Sequence, residues 1–344
     1  MTLLTVDDLS IEYTADEKTI KAVNGVSFEI AEGERFGLVG ESGSGKTTIA
    51  KAIMQLLPKN GEVTSGSVEL TNDSVSLDLV TASSRELQDI RWKHLATVSQ
   101  SAMNALDPVY TIGAQIIEAI QLHEDVSKAE ARERAGELLE RVGIDKERVD
   151  SYPHQLSGGM RQRAMIAMSM ALEPSLIIAD EPTTALDVIT QDHILDQIDQ
   201  LSNAVGNSLL MITHDISVVS ETCDRVGVMY AGELVEVGPT EEVFTNPEHP
   251  YTKGLLNAFP TLEGESDSEL ITITGEPPKL IDVEPGCKFM DRCPYAEARC
   301  GESDPALTPR TPGREAACFV TADGYDLEEH YEQVVTESEK WQKL

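Results

Sequence analysis

The sequence predicts an α/β fold, a parallel sheet carrying helices. Three observations carry that prediction. The apolar run Arg35-Phe36-Gly37-Leu38-Val39 leads into a glycine-rich turn, and then into a stretch from Thr47 to Leu57 with apolar residues at helical spacing. Two more short apolar runs, Ser175 to Asp180 and Ser208 to His214, have the continuous character of strands buried on both faces. Between the first run and these two lie stretches rich in Ala, Glu, Leu and Arg, over 112–145 and from Met160 to Leu172, which read as helices.

The remaining elements follow in order. Residues 3–13 and 22–30 alternate apolar and polar side chains, the pattern of half-buried strands. Residues 64–80 continue the β structure, with Ser65-Gly66-Ser67 turning into Val68-Glu69-Leu70. Ala96-Thr97-Val98-Ser99 is a further short strand before Gln100. The helix begun at Met160 stops before Pro174, which cannot continue it. Residues 225–238 read as a hairpin turning at Ala231-Gly232. After about residue 245 Pro and Gly become frequent and periodicity fades. That shift divides the chain into 1–245 and a smaller, irregular, Cys-rich region over 246–344.

The 344 residues include 60 Asp and Glu against 27 Lys and Arg, a net charge of −33, with 40% hydrophobic residues. That apolar content builds a core, so the acid does not mark a disordered chain. The charge repels nucleic-acid phosphates and argues against a general nucleic-acid binder. The acids are spread along the chain, as on proteins adapted to salt, and predict a very salty cytoplasm, with an ordinary acidic mesophilic protein as the alternative. No run reaches the roughly 18 apolar residues of a spanning helix. The N-terminal Met1 to Tyr13 has neither the basic region nor the apolar centre of a signal peptide. The chain is expected to be soluble and intracellular, with any membrane role coming through a partner.

Gly40-Glu41-Ser42-Gly43-Ser44-Gly45-Lys46-Thr47 fits the phosphate-loop pattern G-x-x-x-x-G-K-[ST] in full, with a strand before it and a helix after it. Glycines let successive backbone N–H groups converge on phosphate oxygens, and the helix start adds partial positive charge. Lys46 can reach the β- and γ-phosphates and the Thr47 hydroxyl can ligate Mg²⁺. Asp180 and Glu181 end an apolar strand, where ligands of a parallel sheet gather. Asp180 would lie near the Mg²⁺, and Glu181 could orient the attacking water. Taken without the phosphate loop, the pair reads equally well as a solvated acidic turn. His214 closes the next strand, where an imidazole can hydrogen-bond a γ-phosphate or serve structure alone. Gln100 could contact Mg²⁺ and orient water, though its spacing does not single it out.

In this order the pieces resemble the ATP-binding cassette of ABC transporters over about residues 1–240. The decisive segment is Leu156-Ser157-Gly158-Gly159-Met160, similar to the family signature LSGGQ with Met in the last place. Ala185-Leu186-Asp187 follows Asp180-Glu181 as in that family. The resemblance implies a P-loop NTPase fold: a RecA-like core, an antiparallel β subdomain, and a helical subdomain over about 101–160. It implies ATP bound by Gly40, Ser42, Gly43, Ser44, Gly45, Lys46, Thr47 and Thr48, with Tyr13 stacked on adenine. It implies Glu181 as catalytic base, His214 as the γ-phosphate switch, and Gln100 and Thr47 on Mg²⁺. Ser157, Gly158 and Gly159 would hold the γ-phosphate of a partner cassette's ATP, and Asp187 would bridge the two cassettes. Gln100-Ser101-Ala102 departs from the family in lacking an Asp-Pro after the glutamine, a change at the coupling surface rather than at ATP.

Cys287, Cys293, Cys300 and Cys318 form a C-x5-C-x6-C-x17-C set. Four thiolates can hold Zn²⁺ or a 4Fe–4S cluster. The gaps are unlike a zinc ribbon, which uses C-x₂₋₄-C pairs, and free or disulfide-bonded cysteines stay open on spacing alone. Cys223 reads as a plain buried cysteine. Pro285-Gly286-Cys287-Lys288-Phe289, Arg292-Cys293-Pro294-Tyr295-Ala296, and Asn246-Pro247-Glu248-His249-Pro250-Tyr251 resemble the C-terminal extension of oligopeptide/dipeptide importer ATPases, as does Ser151-Tyr152-Pro153-His154-Gln155. That resemblance implies a structural 4Fe–4S cluster on the four cysteines. Its implied partners are a second, paralogous ATPase subunit, two membrane-spanning permease subunits and an extracellular substrate-binding protein. The implied place is the cytoplasmic face of the membrane, as a peripheral subunit.

Three functions compete. The first is a peptide-import ATPase, with nickel or oligosaccharide as other cargoes of related importers. The second is a soluble cassette ATPase of translation or repair, disfavoured by the single cassette, the lack of a heptad run, and the acid surface. The third is an iron–sulfur redox enzyme, for which no second cofactor motif is present. The charge carries its own test. Thermal unfolding in molar KCl is expected at a clearly higher temperature than in low salt, where carboxylate self-repulsion is unscreened; equal melting in both would remove the high-salt reading.

Overall fold

The computed structural model describes residues 1–16, 18–98, 106–182, 191, 195, 206–258, 271–281, 285–329, 331, 334, 338 and 340–343. Strands β1 (Thr2–Ala15), β2 (Lys18–Ala31) and β3 (Arg35–Val39) precede helix α1 (Lys46–Ile53). Then come β4 (Gly61–Asn72), β5 (Val75–Asp78), α2 (Ser84–Ile90), β6 (Leu95–Val98), α3 (Ile112–His123), α4 (Lys128–Arg141) and α5 (Gly158–Ser169). Next are β7 (Leu176–Asp180), β8 (Ser208–Thr213), α6 (Ile216–Thr222), β9 (Arg225–Tyr230), β10 (Glu233–Pro239), α7 (Thr240–Thr245) and α8 (Pro250–Asn257). The C-terminal part holds β11 (Ile271–Ile273), β12 (Thr308–Thr311), β13 (Arg314–Ala316), α9 (Phe319–Ala322) and β14 (Trp341–Lys343). No helix among the described residues is long and apolar enough to cross a membrane.

The chain groups into two compact units, one of Met1–Thr5, Glu29–Arg35 and Glu69–Thr213, the other of Val6–Phe28, Phe36–Val68 and His214–Leu344. In the first unit, β6, β7 and β8 run parallel, with Leu95 level with Leu176 and Asp180 level with Ile212. β7 and β8 are buried almost throughout, as their apolar runs require. The helices start where the sequence supplies caps. Ser83 and Glu86 close a capping box on α2, Thr111 caps α3, and Ser127 caps α4. α3 and α4 pack with the 3₁₀ turn Lys146–Asp150, close enough that a Cβ on Gly113 would stand 2.1 Å from Val149.

In the second unit β3 runs parallel to β9, with Val39 level with Val228, and β9 turns into β10 at Ala231 and Gly232. Both turn residues have positive φ, 51° and 86°, the I′ geometry that matches strand twist. β13 adds to the free side of β10, pairing Ala316 with Glu236, and β12 pairs with β13. The C-terminal residues are therefore built into the same sheet as β3. A buried pair fixes that join: Arg314 donates to Glu236 at 2.8 Å, with exposures of 4% and 0%. Glu236 also accepts the N–H groups of Glu248 and His249 at 2.9 and 3.0 Å. Tyr230, Tyr251 and Phe289 form an aromatic core with centroids 4.6 to 5.4 Å apart.

His249 caps α8: its Nδ1 accepts the Tyr251 N–H at 3.0 Å. Burial, helped by the charge of Arg310, lowers its pKa to about 3 from an ordinary 6.5. The folded chain therefore keeps this imidazole neutral, while the unfolded chain takes up a proton below about pH 6.5. Its stabilising effect is complete above that pH and is lost as pH falls toward 3. Between pH 6.5 and 5 this amounts to about 2 kcal/mol. His249→Asn keeps a capping acceptor without the titration. Its melting temperature is expected to fall less than that of the unaltered chain from pH 7 to 5; equal falls would exclude His249 as the cause.

Candidate nucleotide site

The phosphate loop lies in the second unit, between β3 and α1. Gly40, Gly43 and Gly45 have φ of 149°, 81° and 108°. Two of these positions also exclude a side chain by space. A Cβ on Gly40 would stand 2.1 Å from the Met229 carbonyl oxygen, and one on Gly45 would stand 2.5 Å from that of Ala22. Ser44 accepts the Gly232 N–H at its carbonyl, 3.0 Å, so the β9–β10 turn holds the loop from behind. Lys46 is buried, and its Nζ donates to the carbonyls of Gly40 and Glu41 at 2.7 and 2.9 Å and to Ser44 Oγ at 3.2 Å. The ammonium is thus centred on its own loop. Thr47 offers a hard hydroxyl oxygen of the kind Mg²⁺ takes.

Tyr13, on β1, lies beside this loop. Its Oη donates to Thr48 Oγ1 at 3.3 Å, and its ring covers Gly61, where a Cβ would come within 2.5 Å of Tyr13 Cε1. The ring therefore flanks the first turn of α1.

Asp180 and Glu181 lie in the first unit, at the end of β7. Glu181 has φ of 47°, a left-handed conformation uncommon in a non-glycine residue. Its N–H donates to Ile212 O at 2.8 Å, which fixes the turn against β8. The carbonyl of Pro182 accepts a hydrogen bond from Gln162 Nε2 of α5, tying this turn to the signature helix. Ser157 caps α5, its Oγ accepting the Met160 N–H at 3.3 Å. Ser157 is exposed and Gly158 and Gly159 are half-exposed, so the helix start is open to solvent. His214, exposed, directly follows β8 in the chain. Gln100 and Asp187 lie outside the described residues.

The four C-terminal cysteines gather in the second unit. The Cys287 N–H donates to Cys300 O at 2.7 Å. Burial pushes Cys287 up to about 11, with the charges of Cys300 and Cys318 adding to it. Burial likewise pushes Cys293 well above the ordinary thiol range, and Cys318, Cys287 and Cys300 all add to that. A cavity of about 330 Å³ opens beside Cys287 and Cys300. Yet among the described residues no group of three or more His, Cys, Asp or Glu side chains is arranged to hold a metal ion. The structure brings the thiols into one region without composing a coordination sphere among the described residues. The Cys287 and Cys293 thiols, pushed up by burial, stay protonated at neutral pH and react poorly.

Sequence reasoning missed one part of the site. Arg292 donates to Glu41 through both Nη atoms at 2.8 Å, and the Glu41 N–H donates to Tyr251 Oη at 2.8 Å. Burial alone would pull the guanidinium down; bonds to Glu41 and Tyr230 carry it upward overall. Burial also pushes Tyr251 up, so the phenol that receives the Glu41 amide is neutral. Glu41 and Arg292 are 251 residues apart, and no local pattern marks their contact.

Fold and loops define a nucleotide-binding cassette. The family model described as ABC transporter matches residues 23–184, and that of the oligopeptide/dipeptide transporter C-terminal region matches residues 235–300. The chain is 44% identical over 92% of its length to the probable peptide ABC transporter ATP-binding protein y4tR of Sinorhizobium fredii, of which it covers 94%. It is 43% identical over 93% of its length to the oligopeptide transport ATP-binding protein AppD of Bacillus subtilis, covering 97% of that protein. The corresponding figures for OppD of Salmonella typhimurium are 43%, 92% and 93%. Among solved structures, the dimeric post-hydrolysis state of the cassette MJ0796 with ADP and phosphate matches with a TM-score of 0.61 and 29% identity, over 69% of this chain and 98% of that one.

The chain belongs to the oligopeptide/dipeptide family of ABC transporter ATP-binding subunits. Like those subunits, it is an ATPase. The strained turn at Glu181 sets up a test. Glu181→Gln is expected to bind ATP about as well as the unaltered chain and to lose turnover by roughly a hundredfold or more, the scale of a lost general base; substantial remaining hydrolysis would move the base elsewhere.

Proposed function

We propose that the chain powers import of di- and oligopeptides through a membrane transporter, working at the cytoplasmic face of the membrane. One observation carries the cargo class. The similarity to relatives named for oligopeptide and dipeptide transport runs through the cassette and on through residues 235–300, the region whose model is specific to such transporters. A cassette alone would serve any cargo. The proposed division is a cassette over 1–245, with its helical subdomain at about 101–160, and an extension over 246–344.

Within the cassette, ATP binds the loop from Gly40 to Thr48 with Tyr13 against the adenine. Thr47, Asp180 and Gln100 serve Mg²⁺, Glu181 is the base, and His214 meets the γ-phosphate. The signature residues, Ser157 exposed and Gly158 and Gly159 half-exposed, fit a role toward ATP on a second, paralogous cassette, with Asp187 at the same junction. Val109 and Tyr110, 68% and 57% exposed, are apolar surface of the kind a permease segment would cover. The substrate-binding protein completes the set outside the cell.

The acidic surface suits a cytoplasm of molar salt, as in a halophilic archaeon. The four cysteines suit a 4Fe–4S cluster by donor chemistry: four thiols gathered in one region, two of them, Cys287 and Cys300, lining a cavity. Such a cluster would neutralise thiolates that burial otherwise disfavours.

One preparation tests these readings together. The tagged chain, extracted with detergent under anaerobic conditions, is expected to bring down a second cassette and two polytopic membrane proteins. Its ATPase is expected to rise with peptide-loaded binding protein, and it should carry about four irons per chain. Isolation without membrane proteins would remove the importer reading. Zinc at one per chain, or no metal, would remove the cluster alone.

A further inference from the structure

The phosphate loop carries a carboxylate directly after its first glycine. Glu41 directly follows Gly40, its carbonyl accepts from Lys46 Nζ, and its side chain is only 25% exposed. Water therefore screens it poorly. Left to itself, that carboxylate would add uncompensated negative charge to a loop that takes phosphate.

Arg292 removes the conflict. Its two Nη atoms engage both carboxylate oxygens at 2.8 Å, the planar fork that Arg makes and Lys cannot. The guanidinium is itself held in place. Nε donates to Thr274 O at 3.1 Å, Nη1 also donates to Tyr230 Oη at 3.3 Å, and the Arg292 carbonyl accepts from Trp341 Nε1 at 3.2 Å. Its Cζ lies 5.7 Å from the Tyr230 ring centroid. The Glu41 N–H, meanwhile, is bound by Tyr251 Oη. Both the side chain and the amide of this one loop residue are thus committed to groups outside the loop.

We propose that Arg292 is a positioning residue for ATP: by gripping and neutralising Glu41, it removes a negative charge from the loop that takes the phosphates. ATP affinity is thereby tied to the segment that carries Cys287 and Cys293. The Cys293 N–H donates to Met290 O, and Lys340 Nζ donates to the carbonyls of Met290 and Cys293, so the backbone around Arg292 is braced on the thiol-bearing turn. The proposal rests on residues 40–47 being the ATP loop.

The test uses the purified full chain and a fluorescent ATP analogue, with ATPase kinetics alongside. Arg292→Gln is expected to weaken binding about tenfold or more and to raise KM more than it lowers kcat, because an unneutralised carboxylate is left at the loop. The loss should shrink in high salt, which screens that charge. Adding Glu41→Gln to Arg292→Gln should restore binding to within about threefold of the unaltered chain, since no charge is then left uncompensated. A merely structural Arg292 predicts no rescue, and an unrescued double variant overturns the proposal, as does unchanged affinity in Arg292→Gln. If Arg292→Gln fails to fold, Arg292→Lys decides: it keeps the charge but not the fork, and binding weakened by more than about threefold supports the proposal while equal binding overturns it. Lys46→Ala should abolish binding in every background. If it does not, the assignment of the ATP loop fails rather than the role of Arg292.

Discussion

A phosphate loop closes only if its backbone can turn where a side chain would not fit. Here two glycines meet that constraint against specific carbonyls: Gly40 against Met229 and Gly45 against Ala22. The approach of those carbonyls is set by the strands behind the loop. β9 runs beside β3, and its hairpin turn returns an N–H to Ser44. With the loop closed, Lys46 folds over its own carbonyls and its ammonium sits at the centre of the ring. Much of the second unit serves to hold that geometry.

The chain carries a net charge of −33 and binds a polyanion. The two are compatible because attraction at this range is local. Converging amides, a helix start, one buried lysine and a divalent cation act within a few ångströms, while dispersed surface carboxylates are screened over about one Debye length. The exception is Glu41, an acid inside the loop. It is met by Arg292 from the far end of the chain.

The C-terminal region is built into the nucleotide-binding unit. β13 lengthens the sheet beside β10, Arg314 is buried against Glu236, and Tyr251 and Phe289 share an aromatic core with Tyr230. The thiol-bearing turns hang from the same framework. Four thiols gather there, yet no metal-ready set of three or more ligands forms among the described residues. Donor count in a sequence and donor geometry in a fold are separate properties, since ligand convergence depends on turns of only a few residues.

The sequence by itself determined the local chemistry. The loop from Gly40 to Thr47, the strand ending in Asp180-Glu181, the capped helix beginning at Ser157 and the hairpin at Ala231-Gly232 are all contiguous patterns. Each depends on backbone demands that neighbouring residues meet: positive φ at glycine, a hydroxyl cap, an apolar strand. Gln100 and Asp187 rested on the family resemblance and lie outside the described residues. Tertiary structure alone decided what reaches across the chain. It placed Tyr13 over Gly61 and beside Thr48, turned Glu181 into a left-handed conformation against Ile212, and set Arg292 on Glu41. It also left the four cysteines short of a coordination sphere. Such contacts join residues tens to hundreds of positions apart, and hydrophobic periodicity records which face of an element is buried but not which distant side chain it meets.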